Sequence, residues 1–218
     1  MITKKVLSAI FAIAALSACA TQLPAPTPTP QDGASAGIGV LVKSRSQMLV
    51  RHKADSVTFA RLEGNDTSQY ISTQLITSNY KKDGYIYLLN APPGRYAAVA
   101  TFRLYQDFLD GSVSRHYTYF SRDLVKATEV TVEPGRIVFM GEFIVDTSSF
   151  KDADDVQSHY DRLISPDLEG RSVSWQVRMG VLHYTGTLHE VNQDEEARER
   201  FLATTRENLG EVGWLVVD

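Results

Sequence analysis

From Gly37 onward, short apolar runs alternate with turn residues at the two-residue period of strands, not the 3.6-residue period of helices. Runs rich in Val, Ile, Tyr and Phe predict strands over Ile38 to Val42, Ser56 to Leu62, Tyr70 to Ile76, Tyr85 to Leu89 and Tyr96 to Tyr105. Further strands are predicted over His116 to Ser121, Glu129 to Val132, Ile137 to Val145 and Arg171 to His183. In the last of these Val173, Trp175, Val177 and Met179 fall on one face, with Ser174, Gln176 and Arg178 on the other. One face is therefore core and the other meets water. Ile137, Phe139, Phe143 and Val145 align the same way, with Gly141 among them, where a strand glycine marks a bulge or a close packing neighbour. Gly180 is placed to bend or break the run to His183.

Turn chemistry separates the runs. Pro93-Gly94-Arg95 and Pro134-Gly135-Arg136 each place a proline, with its φ near −65°, before a glycine that supplies the positive φ of a type II turn. Two helices are expected. Ser149-Phe150-Lys151-Asp152 resembles a capping sequence, and Val156, Tyr160, Leu163 and Ile164 form a stripe that Pro166 ends. Asn192 to Glu195 is a second start signal, followed by apolar Ala197, Phe201 and Leu209 and by Gly210 as a stop. The tail from Trp214 to Val217 is apolar enough to dock on the domain, in the manner of an edge strand. The predicted class is mainly β (α+β), an antiparallel β-sandwich with one inserted helix and a C-terminal helix over residues 37–218.

The N-terminus follows a different pattern. Lys4 and Lys5 precede an apolar run from Val6 to Leu16, shorter than the roughly 20 residues of a membrane-spanning helix. Leu16-Ser17-Ala18-Cys19 resembles the lipobox of bacterial lipoproteins. The resemblance implies that residues 1–18 are a signal peptide, and that Cys19 takes a diacylglycerol on its thiol and becomes the acylated first residue of the mature chain. Two or more acyl chains, each stabilised by ~0.8 kcal/mol per buried CH₂, make a durable anchor. Ala20 stands where aspartate marks inner-membrane retention in enteric lipoproteins, so the resemblance implies a lipid-anchored outer-membrane protein, facing the periplasm or the surface. Residues 19–36 then form a lipidated cysteine and a proline-rich tether, biased toward extended polyproline II (PPII) conformation.

Composition narrows the partners. The chain carries net charge −4, and losing Lys4 and Lys5 with the leader takes it to −6. That sign argues against nucleic acid, which selects basic patches. The single cysteine excludes an internal disulfide framework and is explained by lipidation. The run Leu89 to Tyr96, with its Pro93-Gly94 turn followed by an aromatic, resembles the hairpin of transthyretin-like and carboxypeptidase-regulatory-like β-sandwich modules. That resemblance implies a binding or scaffolding module without catalytic residues.

Candidate chemistry is sparse. Gly33-Ala34-Ser35-Ala36-Gly37 spells the G-x-S-x-G nucleophile elbow, but it lies between a proline tether and a strand instead of on a strand-to-helix turn. Asp152-Ala153-Asp154-Asp155 opens like a calcium loop, yet the sixth and twelfth positions hold Gln157 and Leu163 where glycine and glutamate are needed. His52, His116, His159, His183 and His189 match no zinc spacing. No metal site and no cofactor are expected.

The aromatic density between Tyr80 and Phe120 is the strongest remaining signal. Tyr85 and Tyr87 share one strand face opposite Ile86 and Leu88, and Tyr117 and Tyr119 share another. Facing outward, they would make a partner surface for an envelope protein or glycan; facing inward, they are cross-strand packing. The expected function is a non-enzymatic binding or assembly module of the cell envelope, anchored to the membrane through lipid. The alternative is a lipocalin-like carrier of small apolar ligands, although Gly37-Ile38-Gly39-Val40 lacks the Gly-x-Trp of that family.

Overall fold

A computed structural model describes residues 25–28, 36–45, 51–62, 74–106, 111–149, 180–214 and 216. The first strand, β1 (Gly37–Arg45), organises the rest. It is buried along its first six residues, the burial expected of an unbroken apolar run covered on both faces. In chain order there follow β2 (Arg51–Lys53), β3 (Ser56–Leu62), β4 (Gln74–Thr77), β5 (Tyr80–Lys82), β6 (Tyr85–Leu89), β7 (Gly94–Gln106) and β8 (Val113–Phe120). The short helix α1 (Arg122–Ala127) precedes β9 (Val130–Val132), β10 (Ile137–Ser149) and β11 (Val181–Asn192). Helix α2 (Glu195–Leu209) runs into a 3₁₀ turn at Gly210–Val212.

These strands form one sheet in the order β4-β3-β7-β8-β11-β10-β1-β6-β5, with β2 added to β1 and β9 to β7. The mainly β class is as expected, but the antiparallel sandwich gives way to a single curled mixed sheet, a half-barrel. Its β1–β10 and β8–β11 pairings are parallel. Alternation along a strand fixes which face is buried without fixing its neighbour, and parallel partners are joined by long crossovers that leave no local signal.

Curling brings the two limbs face to face. Ile38, Val40 and Val42 of β1 meet Phe59 of β3, Phe120 of β8 and Phe143 and Val145 of β10 in the main core. The opposite face of β1, β6 and β10 carries a second core, in which Leu41, Tyr85, Tyr87, Leu89 and Ile137 pack under Phe201, Leu202 and Leu209 of α2. The predicted start of α2 holds: Asp194 caps it, accepting a hydrogen bond from the Ala197 amide at 2.8 Å. The residue that turns left-handed after it is Gly213 (φ 90°), whereas Gly210 stays right-handed.

The two Pro-Gly-Arg turns differ. Gly135 has the φ of 72° that a type II turn requires, but Gly94 sits at 152° and the tight positive φ falls on Asn90 at 58°. Neither turn closes a hairpin, because β6 pairs with β1 and β5 while β7 pairs with β3, β8 and β9. The expected bend at Gly180 (φ 71°) does occur, immediately before β11. Trp214 docks as expected, 5 % exposed, though without forming a strand. The tether is not free throughout: Ala25 packs against the second core, and the Trp214 indole donates to the Pro26 carbonyl at 2.8 Å. The expected capping sequence and helix at 149–166 and the alternating run Val173 to Met179 fall almost entirely outside the described residues.

Candidate functional site

Strands β7 and β8 pair antiparallel with Arg103 directly opposite His116 and Tyr105 opposite Ser114. Directly opposed residues project to the same face, so these four side chains form one patch at the outer end of the two strands. β11, parallel to β8, adds Tyr184, whose ring lies 5.4 Å from that of His116. The sixth member comes from the other limb of the curl. Ser44 of β1 pairs with His52 of β2, which puts His52 on the same side as Val40 and Val42 of the main core. The chain then crosses to the β7 limb at Ala54 and Asp55, whose amides donate to the carbonyls of Val42 (3.1 Å) and Phe102 (2.9 Å).

Asp55 locks this crossing. Its carboxylate accepts from the Leu104 amide at 2.8 Å and from Lys81 Nζ at 2.7 Å. Both oxygens of this carboxylate are thus already committed. Arg103 lies with its guanidinium carbon 5.5 Å from the centre of the Tyr105 ring, a cation–π arrangement, and makes no ion pair among the described residues. Burial, and then the positive charge of Arg103, lower the pKa values of both His52 and His116, with His52 adding to the effect on His116. A half-buried cation with two neutral imidazoles and two aromatic faces suits an acidic group attached to a planar or apolar body.

Other clusters carry less. Ser114 Oγ and His116 Nε2 are 2.8 Å apart, the start of a nucleophile–base couple, but among the described residues no carboxylate orients the imidazole. His189 Nδ1 reaches Asp146 at 3.1 Å, yet its Nε2 lies against Arg45 Nη1 at 2.6 Å and Arg45 also binds Asp146, so the ring's second nitrogen is occupied. A cleft of about 400 Å³ between β9, the start of β10 and α2 is lined by Ile137, Phe139, Met140, Leu202, Arg136 and Arg198, of which Arg136 is paired with Glu133 at 3.1 Å. No group of three or more His, Cys, Asp or Glu that would hold a metal ion occurs among the described residues.

The tyrosines chosen from the sequence correct the surface reading. Tyr85 and Tyr87 do share a face opposite Ile86 and Leu88, but α2 covers that face, leaving Tyr85 6 % and Tyr87 0 % exposed. Tyr85 donates to Glu142 at 2.9 Å, and the Tyr87 hydroxyl lies 3.2 Å from that of Thr205. Tyr119 is also buried, and only Tyr117 keeps partial exposure. The second pair forms no common surface with the first: Tyr117 and Tyr119 flank the His183 ring at 5.8 and 5.7 Å, and the Tyr119 hydroxyl meets His183 Nδ1 at 3.0 Å. Cys19 and Ser35 lie outside the described residues. The Arg103 patch was missed because its members come from four strands; the visible signal was Arg103 and Tyr105 on one face of an otherwise apolar run.

Burial also lowers the His183 pKa. His52, His116 and His183 therefore bind fewer protons in the folded than in the unfolded chain once pH falls below their ordinary value of about 6.5. Stability contributed by these neutral rings is complete above that value and declines on acidification toward the lowered folded pKa values. Urea midpoints measured from pH 7.5 down to about 5.5 should fall, and His183→Gln should reduce the slope. A flat profile across that range would show that the rings titrate as they do in the unfolded chain.

Comparison with protein-family models, with curated proteins and with solved structures finds no match to this chain.

Proposed function

We propose that this chain is a lipid-anchored protein of the bacterial outer membrane that acts as a non-enzymatic binding or assembly module, with the Arg103 patch as its contact site for an acidic group. The observation that carries this reading is Arg103 itself: half-buried, stacked on Tyr105 and without a carboxylate partner among the described residues, in a chain whose net charge is negative. An unmatched guanidinium beside aromatic faces is a recognition element for a carboxylate, presented by an envelope protein or an acidic glycan. The lipobox supports the anchor, and no helix among the described residues is long and apolar enough to cross a membrane.

The lipocalin-like carrier is the weaker alternative, since the space between the limbs is filled by Ile38, Val40, Phe59, Phe120 and Phe143. The binding reading is tested by titrating the protein with glucuronate and with a short glutamate peptide while following the His52 and His116 ring signals. Both rings should respond to at least one probe, and Arg103→Gln should abolish the response. Unmoved rings with both probes remove the patch from consideration. The anchor is tested separately: Cys19→Ser offers no thiol for lipid transfer, so the protein should leave the membrane fraction or keep its leader. An unmodified N-terminus on the natural protein, read by mass spectrometry, would refute lipidation.

A further inference from the structure

Among the described residues, the proline-rich segment offers the domain backbone carbonyl acceptors. The Trp214 indole N–H donates to the Pro26 carbonyl at 2.8 Å, and Asn90 Nδ2 donates to the next carbonyl, that of Thr27, at 2.9 Å. Ala25 packs against the cluster that holds Trp214, Val212 and Val216. This is the chemistry a PPII strand requires. Proline has no N–H, so a Pro-x-Pro strand offers carbonyls and apolar ring faces, and a surface that holds it must supply donors and an aromatic wall. Trp is a pure donor with a large apolar face, and here it is buried apart from 5 % of its surface.

The groove is also prepared in advance. Asn90 is held at φ 58°, an unusual conformation outside glycine, and Asn79 fixes the strand end just before it, exchanging two 2.9 Å hydrogen bonds with the backbone of Leu89. Trp214 is positioned by its amide, which donates to the Leu209 carbonyl at 3.3 Å, and by Gly213 in the left-handed conformation. Both donors therefore sit on backbone that is fixed independently of the strand they bind.

We propose that this groove is a recognition site for proline-rich strands, and that its resident ligand is the chain's own Ala25-Pro26-Thr27-Pro28, which makes the tether a releasable clamp. With the clamp closed, the few residues between Cys19 and Ala25 reach at most ~20 Å at ~3.1 Å per residue. With it open, the span from Cys19 to Ala36, which is held in the main core, reaches ~53 Å at the same rise. This consequence for reach rests on the lipid anchor proposed above, whereas the groove does not. A short linker gives its own strand an effective concentration in the millimolar range, so a rival proline-rich strand of equal affinity must reach millimolar concentration, or be tethered alongside, to open it.

The test uses the full chain in solution, without a membrane, so that it fails or succeeds independently of lipidation. The Trp214 indole cross-peak, assigned with Trp214→Phe, is compared in the natural chain and in a Pro26→Ser, Pro28→Ser variant. Release of the strand, and with it of the residue 26 carbonyl, should move the indole proton upfield in the variant. A synthetic peptide covering Gln22 to Gln31 should return it, while the same peptide with serine for each proline should not. The proposal is overturned if the cross-peak is the same in both chains, if the proline peptide fails to return it, or if both peptides return it equally.

Discussion

Phe201→Ala should destabilise the domain by about 3–5 kcal/mol, the range for removing a buried phenylalanine, out of the roughly 5–15 kcal/mol that holds a typical domain folded. Phe201 is 0 % exposed and is the side chain through which α2 grips the sheet. It stacks on Phe139 with ring centres 4.9 Å apart and meets Tyr85 edge-on at 5.2 Å. Gly39 of β1 lies directly beneath, where any Cβ would run into the Phe201 ring, so little else can move in to fill the void. Urea unfolding measures the loss. A second readout is specific to the helix: burial under α2 and the bond to Glu142 hold the Tyr85 pKa above its ordinary value, and undocking should bring it down. Gly39→Ala should be severe alone and mild in the Phe201→Ala background, because the two changes share one cavity. A loss below about 1 kcal/mol for Phe201→Ala would mean that α2 does not rest on this ring.

The same region shows what the sequence carried and what it did not. The apolar face of α2 was readable, and Ala197, Phe201 and Leu209 are all buried. The limits of β3 and β6 were readable too, since β3 alternates apolar with polar residues, β6 is an unbroken apolar run, and both have polar borders. Strand alternation alone leaves the direction of Tyr85 and Tyr87 open, although Tyr-Ile-Tyr-Leu-Leu is apolar without interruption, the pattern of a strand covered on both sides. Asp83-Gly84 is a local turn signal: both residues have positive φ (52° and 91°) and close the β5–β6 hairpin as a two-residue turn.

Other features had no local signal. The stretch of β11 from Tyr184 to Asn192 alternates weakly in hydropathy and is a strand because β10 pairs along it and β8 pairs with it as far as Gly186. Helix α1 is six residues long, too short for a stripe, and rests on its Ser121 cap and on buried Leu124 and Val125. The Arg103 patch and the proline groove each join residues remote in sequence, and that juxtaposition follows from strand order. Strand order also explains how one small domain brings together both proposed contact sites. The β2–β3 crossing closes one end of the curl around Arg103, while the packing of α2 on β6 leaves Trp214 and Asn90 holding the proline-rich strand.

Gly141→Val should cost about 2–5 kcal/mol, combining the strain of a positive φ in a β-branched residue with the overpacking of a full core. The expectation that a strand glycine marks a bulge or a close neighbour is met on both counts. β1 and β10 slip in register here: Gly39 pairs with Phe139 and Val40 with Gly141, leaving Met140 as the extra residue, fully buried. Gly141 has φ 136°, and a Cβ on it would lie 2.8 Å from the Phe143 ring and 2.9 Å from Gln193 Cγ. Gln193 in turn donates to the Met140 carbonyl at 2.8 Å and leads into the cap of α2, so displacing it disturbs the bulge and the helix start together. Gly135→Val separates the two causes, because Gly135 also has a positive φ of 72° but a Cβ there meets nothing within 4 Å. Urea unfolding of both variants should show the larger loss at Gly141. Equal losses would assign the whole effect to backbone strain and leave the bulge without a packing role.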